Sequence, residues 1–507
     1  MARKRTPKKD FESTIAAAYE VKGKALELGK GVLGGKVAGA AVVHMPMRTM
    51  NRHGLIAGAT GTGKTKGLQG IAEQLSEAGV PVFAADMKGD LSGLSQPGGS
   101  GGIAADRWKE LGEKYEPAAF PVEYLALGGI GPGIPVRGTV SDFGPLLLGK
   151  VLQANETQEQ SLSLVFRYAD QKGLPLLDLS DLRALLTFLG SDEGKAELTG
   201  IGGVASATIG VLLRQLVQLE DGGGSEFFGE PQLDIADLMR TASDGRGIIS
   251  CLELPAVQDK PTLFSTALMW LLAELFEQLP EVGDRDEPKL VFFFDEAHLL
   301  FDGATKAFLD SIVQTVRLIR SKGVGVFFIT QQPKDIPADV LAQLGNRIQY
   351  ALRAFTPDDA KALRATVSTF PKSDFYDLGE LLTSLGIGEA AVTILNESGV
   401  PTPVVHTKIR APRSKMQAAD DVEGAAKASA LFAKYGTRVD SQSAREMLAA
   451  RLAQQPGARP TEEHKKAAKA SGGGAGAVGD FLKSSTGRQI EREVVRGLFG
   501  LLSKSLK

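Results

Sequence analysis

Three short stretches of this chain carry residue types and spacings that can do chemistry. The first is Gly58-Ala59-Thr60-Gly61-Thr62-Gly63-Lys64-Thr65, which fits the pattern G-x-x-x-x-G-K-[ST] in full. Successive backbone N–H groups can wrap an anion only where side chains stay out of the way, and glycine supplies that freedom. A helix opening at Lys64 turns its positive end toward the same anion. Lys64 is then placed for the β- and γ-phosphates of a nucleotide, and the Thr65 hydroxyl for Mg²⁺. Gly58, Ala59, Thr60, Gly61, Thr62, Gly63, Lys64, Thr65 and the following Lys66 form the expected nucleotide-binding set. The plain alternative is a Gly-rich turn with an incidental Lys-Thr; the apolar strand before it and the amphipathic helix after it weigh against that.

The second stretch is Leu290-Val291-Phe292-Phe293-Phe294-Asp295-Glu296, an apolar strand ending in two acids. A buried strand that delivers Asp295 at its carboxyl end places an acid to hold Mg²⁺, and Glu296 follows as the general base for an attacking water. His298 reads as a structural neighbour of these acids. In the third stretch, residues 324–330 form another apolar run, followed by Gln331-Gln332-Pro333. A Gln at that strand end sits beside the γ-phosphate and can sense whether ATP or ADP is bound.

These residues need elements to position them. Residues 55–57 read as a strand, 64–78 as an amphipathic helix and 80–85 as a second strand, which together make a βαβ unit of a parallel sheet. Strands are also expected at 247–254, 289–294, 324–330, 348–353 and 391–395, with 403–409 pairing with the last, and helices at 11–28, 263–279 and 306–321. The expected fold class is α/β: a RecA-like P-loop core with a mostly parallel central sheet, a helical insertion and a C-terminal helical extension. The domain reading gives an N-terminal extension at 1–50, a core at 51–104 and 246–410, a mainly helical insertion at 105–245 and an extension at 411–507, with a Gly-rich linker at 472–479. Residues 95–102, rich in Gly, Ser and Pro, read as a mobile surface loop.

Composition narrows the function classes. Among 507 residues, 58 Lys and Arg nearly balance 60 Asp and Glu, which excludes a globally basic nucleic-acid coat protein. A hydrophobic share of 43% and a charged share of 23% describe a globular chain. The single cysteine, Cys251, forbids an intramolecular disulfide, and the five histidines have no zinc-ligand spacing. No apolar run reaches the roughly 20 residues needed to span a bilayer. These features lead us to expect a soluble, cytoplasmic protein with no membrane partner. The 60 glycines exceed the usual share, which calls for tight turns, a phosphate cradle or linkers.

Together, Gly58 to Thr65, Asp295-Glu296, the stretch from Arg320 through Gly323 to Thr330-Gln331-Gln332-Pro333, and Asp86-Met87-Lys88-Gly89-Asp90 resemble the FtsK/HerA superfamily of motor ATPases, and within it the HerA-like ATPases of the YjgR type. The resemblance covers about residues 31–409. It implies a RecA-like fold, ATP and Mg²⁺ as cofactors, hydrolysis in a homo-hexameric ring and, in several members, translocation of double-stranded DNA. Carried onto this sequence, it makes Asp295 the metal-holding acid, Glu296 the catalytic base and Gln331 the sensor. Arg320 becomes a residue that could serve a neighbouring subunit's nucleotide, and Arg52 a basic residue near the site. Arg317 and Arg320 could equally form a solvated helix face, and Arg347 is a second candidate for the trans-acting role.

The chain departs from the DNA-processing members in having only about fifty residues before the phosphate loop, where they usually carry a β-barrel; this weakens the expectation of a docked nuclease. No basic stretch interleaved with aromatics marks a DNA surface. Lys88 reads either as a pore lysine or as a solvated one. The apolar face of residues 489–506 has three readings: packing on its own core, clasping a neighbouring subunit, or lying on a membrane. Beside a DNA motor stand two other functions, a protein-translocating ATPase and a nucleotide-switched assembly protein.

Overall fold

The computed structural model describes residues 10–198, 200, 202–283, 285–301 and 306–453. Its framework is one sheet of twelve strands: β1 (Ala25–Leu33), β2 (Lys36–Pro46), β3 (Gly54–Ala57), β4 (Val82–Asp86), β5 (Val122–Leu127), β6 (Ile134–Val136), β7 (Ile249–Glu253), β8 (Leu290–Phe294), β9 (Val324–Thr330), β10 (Asn346–Tyr350), β11 (Glu389–Thr393) and β12 (Val405–Ile409). They lie in the order β2-β1-β12-β11-β10-β3-β9-β8-β4-β7-β5-β6. From β10 to β6 every neighbouring pair is parallel. From β10 back to β2 every pair is antiparallel. The fold is therefore the expected α/β, RecA-like class with a mostly parallel sheet.

The central strands are apolar at nearly every position because they are buried on both faces, which is why β3, β4, β7, β8 and β9 contain no exposed residue. Aromatic pairs fix the β8–β9 register. Phe293 faces Phe327 with ring centroids 5.4 Å apart, and Phe294 stacks on Phe328 at 5.7 Å. Each such pair adds about 0.5–1.5 kcal/mol beyond the burial of its area. That register brings Asp295 and Gln331, the next residue after each strand, to the same edge of the sheet.

Helices form where local signals start and stop them. The helix Lys64–Glu77 begins at Gly63, which holds φ at +105°, and buries Leu68, Ile71, Ala72 and Leu75. Its polar residues Gln69 and Glu73 are also buried, and they dock the strand-like segment after β12. Glu73 accepts hydrogen bonds from the backbone N–H groups of Arg413 and Ser414, and Gln69 donates to the Ser414 hydroxyl. Capping boxes at Asn155/Gln158 and Asp178/Asp181 start two helices in the 140–227 region.

Several local features differ from the sequence reading. The first helix stops at Ala18, because β1 takes over from Ala25. β5 and β6, inside the stretch read as helical insertion, extend the parallel sheet. Residues 97–98 are tied down rather than loose: Pro97 bridges Ser414, and Gly98 N–H donates to the Arg413 carbonyl at 3.0 Å. After β12 come the helices Val422–Ala428, Ala430–Tyr435 and Ala444–Ala453. The Gly linker at 472–479 and the apolar face at 489–506 fall outside the described residues. No helix among the described residues is long and apolar enough to cross a membrane.

Candidate active site

The carboxyl ends of β3, β9, β8 and β4 lie side by side and carry the sequence-predicted chemistry. The loop Gly58–Thr65 leaves β3 and is braced by the strands around it. Gly58 N–H donates to the Thr330 carbonyl of β9 at 3.2 Å, and Ala59 N–H to the Ala351 carbonyl after β10 at 2.8 Å. Close neighbours by themselves require two glycines of the motif. Gly58 holds φ at +154°, and a Cβ there would lie 2.5 Å from Tyr350 Cβ; a Cβ on Gly63 would lie 3.1 Å from Gly388 N. Lys64 is buried, its Nζ donating to the carbonyls of Gly58 at 2.6 Å and Ala59 at 3.2 Å. Burial pulls its pKa below the usual lysine value, against the attraction of Glu296 and Asp295. Thr65 and Lys66 follow on the first turn, Lys66 Nζ lying 3.3 Å from Asp90 Oδ2.

Asp295 and Glu296 leave β8 next to that loop. Asp295 is 2% exposed; its Oδ1 accepts from Glu296 N–H at 2.9 Å, while Oδ2 is buried without a hydrogen-bond partner. Burial, reinforced by the charge of Glu296, raises its pKa to about 6. A buried carboxylate oxygen free to accept suits a hard cation such as Mg²⁺, whose preferred ligands are oxygens. Glu296 has a left-handed backbone, φ +47° and ψ +46°, which is uncommon for a residue with a side chain. Its Oε1 accepts from Lys88 Nζ at 2.7 Å. Its Oε2 is buried and accepts no hydrogen bond; His298 Nδ1 stands 3.4 Å away, within ion-pair reach but outside hydrogen-bond geometry. Burial works to raise the Glu296 pKa, but the hydrogen bond and charge of Lys88 outweigh it and hold the carboxyl below its ordinary value.

Gln331 is exposed directly after β9, whose last residue Thr330 pairs with Ala57. The fold thus brings Lys64, Thr65, Asp295, Glu296 and Gln331 to one edge. It does not bring Arg52 and Arg320 there within one chain. Each precedes its strand, β3 or β9, and so lies at the opposite edge. The Arg52 guanidinium packs on the turn at Gly399, and the Arg320 backbone carbonyl accepts from Asn51 Nδ2 at 3.5 Å. Arg347 donates to the Thr369 carbonyl at 3.3 Å. Between Arg52 and β3 sits His53, buried and neutral: its Nε2 meets the Val316 carbonyl and its Nδ1 accepts from Val326 N–H. Burial lowers its pKa to about 4.

Two further residues shape the site: Asp86, which the sequence motif contained without a role, and Arg107, which no motif contained. Asp86, at the end of β4, accepts backbone hydrogen bonds from Lys88, Gly89 and Leu91 and so shapes the turn that aims Lys88 at Glu296. Arg107 donates to the carbonyls of Gly388 and Ile387 at 2.9 and 2.8 Å, and Gly388 N–H donates to the Thr62 carbonyl at 2.9 Å. The guanidinium therefore straps the 387–388 turn against the phosphate loop. Replacing Arg107 by Ala is expected to weaken nucleotide affinity about tenfold by loosening that turn. A titration giving unchanged affinity would show the loop is held without the strap.

The sequence profile of the helicase HerA-like C-terminal family matches residues 35–506. No curated protein sequence matches the chain. Among solved structures, the bacterial conjugative coupling protein TrwBdeltaN70, in an unbound monoclinic form, is similar with a TM-score of 0.52 and 15% identity, over 80% of this chain and 94% of that one. Plasmid coupling protein TrwB in complex with the ATP analogue ADPNP gives 0.52 and 15% over 80% of this chain and 94% of its own. TrwB in complex with ADP and Mg²⁺ gives 0.51 and 15% over 79% and 97%. At that identity the likeness is one of fold. From residue 35 to residue 506 the chain belongs to the helicase HerA-like C-terminal family, on the RecA-like P-loop architecture of the FtsK/HerA superfamily.

Proposed function

We propose that this chain hydrolyses ATP with Mg²⁺ and that hydrolysis drives a ring-forming motor of the HerA/FtsK type. The observation that carries this is the convergence of Lys64, Asp295 and Glu296 at one sheet edge, with Lys64 in electrostatic contact with both acids. The loop backbone, with Lys66 at its end, and Lys64 bind the phosphates; the Thr65 hydroxyl and Asp295 Oδ2 are the oxygens that would hold Mg²⁺. When bound, the metal neutralises charge on the phosphates. Glu296 takes the proton of the attacking water, and Gln331 senses the γ-phosphate beside it. The fold-level likeness to TrwB forms holding ADPNP, or ADP and Mg²⁺, supports ATP and Mg²⁺ as the ligands.

Arg320 lies at the opposite edge from its own chain's phosphate loop, which supports reading it as a residue that serves a neighbour's site in a hexameric ring. Arg52, at the same edge, falls under the same reading. Arg347, already bonded to Thr369, is the weaker finger. For the substrate of the motor we favour double-stranded DNA over a polypeptide. Mass in solution with and without Mg·ATP, and ATP turnover with and without DNA across a salt series, test these points together. Assembly with Mg·ATP and salt-sensitive stimulation by duplex DNA are the expected results. A monomer at all nucleotide concentrations sinks the role of Arg320 and Arg52, and turnover indifferent to any nucleic acid sinks the DNA motor while leaving the ATPase standing.

A further inference from the structure

Lys88 lies on neither the phosphate loop nor the strand that ends in the paired acids, yet its ammonium makes the shortest contact to Glu296, 2.7 Å from Oε1. The turn that carries it is built for aim. Asp86 is fully buried at the end of β4 and spends both carboxylate oxygens on the backbone N–H groups of Lys88, Gly89 and Leu91, at 3.1, 2.8 and 2.7 Å. Gly89 takes φ +77° to close the turn. β4 lies directly beside β8, with Ala85 paired to Phe294, so the turn meets Asp295 and Glu296 at their own level. The contact is also selective within the carboxylate: Oε1 is held, while Oε2 is buried and accepts no hydrogen bond. Glu296 needs such a restraint, since its left-handed backbone gives its side chain no help from a helix or strand.

We infer that Lys88 is a positioning residue that fixes the Glu296 carboxylate by one oxygen and so presents the other to the attacking water. The inference rests on the reading of Glu296 as the base. A carboxylate held at one oxygen can still accept a proton at the other, and a general base works only when its accepting atom is within hydrogen-bond reach of the water. A carboxylate free to rotate loses that alignment in proportion to the time it spends elsewhere. Lys88 itself touches no nucleotide in this scheme; it acts wholly through Glu296.

The test is a double-mutant cycle with Mg·ATP, measuring kcat and affinity separately. Lys88→Met is expected to lower kcat about 10- to 100-fold, the range for a misplaced catalytic group, while Mg·ATP affinity stays within about twofold. Lys88→Arg, which keeps the charge and a donor, is expected to recover most of that loss and so guards against a folding artefact. Adding Lys88→Met to Glu296→Gln is expected to lower turnover no further, because both changes remove one unit. Multiplicative effects in the double variant, or a parallel loss of nucleotide affinity, overturn the inference. Turnover in Lys88→Met at or above the native level, beside an inactive Glu296→Gln, overturns it alone. Native turnover in Glu296→Gln overturns the base reading and this inference with it.

Discussion

Replacing Glu296 by Gln is expected to leave Mg·ATP bound and to cut turnover about 100- to 10,000-fold, the usual contribution of a general base. In barrier terms that is roughly 2.7–5.5 kcal/mol. The amide matches the carboxylate in shape and its oxygen can still accept from Lys88 Nζ, so the turn at 86–91 keeps its support. What the amide cannot do is take a proton from water. The left-handed backbone at 296 is also unaffected, because Gln tolerates φ +47° no worse than Glu. Phosphate release gives the rate and calorimetric titration gives the affinity. A rate within twofold of native would remove Glu296 from the chemistry and move attention to another acceptor at the same edge.

Lys64→Ala has the larger effect on binding. Truncating one partner of a buried charged pair costs about 2–5 kcal/mol, which predicts a loss of roughly 30- to 4,000-fold in Mg·ATP affinity. The side chain is buried, donates to two loop carbonyls, and lies in the field of both Asp295 and Glu296. Removing it takes a buried cation out of the field of those acids, which further opposes an incoming triphosphate. Ala is the best helix former, so the helix that opens at position 64 should keep its shape. Near-native melting together with lost affinity is the signature expected; native affinity would mean that the backbone cradle alone holds the phosphates.

How much of this was legible in the sequence depended on distance along the chain. The phosphate loop was readable because its demands are local: glycines where Cβ atoms would obstruct, a lysine and a hydroxyl at the helix start. Asp295 and Glu296 were readable because an unbroken apolar strand announces where its carboxyl end must fall. Lys88 could be found, as part of Asp86-Met87-Lys88-Gly89-Asp90, but not understood. Its partner lies 208 residues away, and a lysine in a glycine-rich turn has no periodic signal to say which way it points. Arg107 was invisible for the same reason, its two acceptors being 281 and 280 residues distant. β6 was missed because a strand as short as Ile134–Val136 contains a proline and too few residues to show alternation. The edge occupied by Arg52 and Arg320 did have a signal. In a parallel sheet, residues that precede a strand lie opposite those that follow it, and both arginines precede theirs.

The strap from Arg107 through Gly388 to Thr62 has a consequence for how the molecule comes into being. The eight-residue motif is synthesised before the groups that hold it in shape, which follow at positions 107, 351 and 388. Ordering such distant contacts carries a loop-closure cost that must be met before they give anything back. A nascent chain ending before residue 388 would thus possess the signature of a nucleotide-binding protein without the finished cradle. The cradle closes only after residue 388 has been synthesised and its N–H has reached the Thr62 carbonyl.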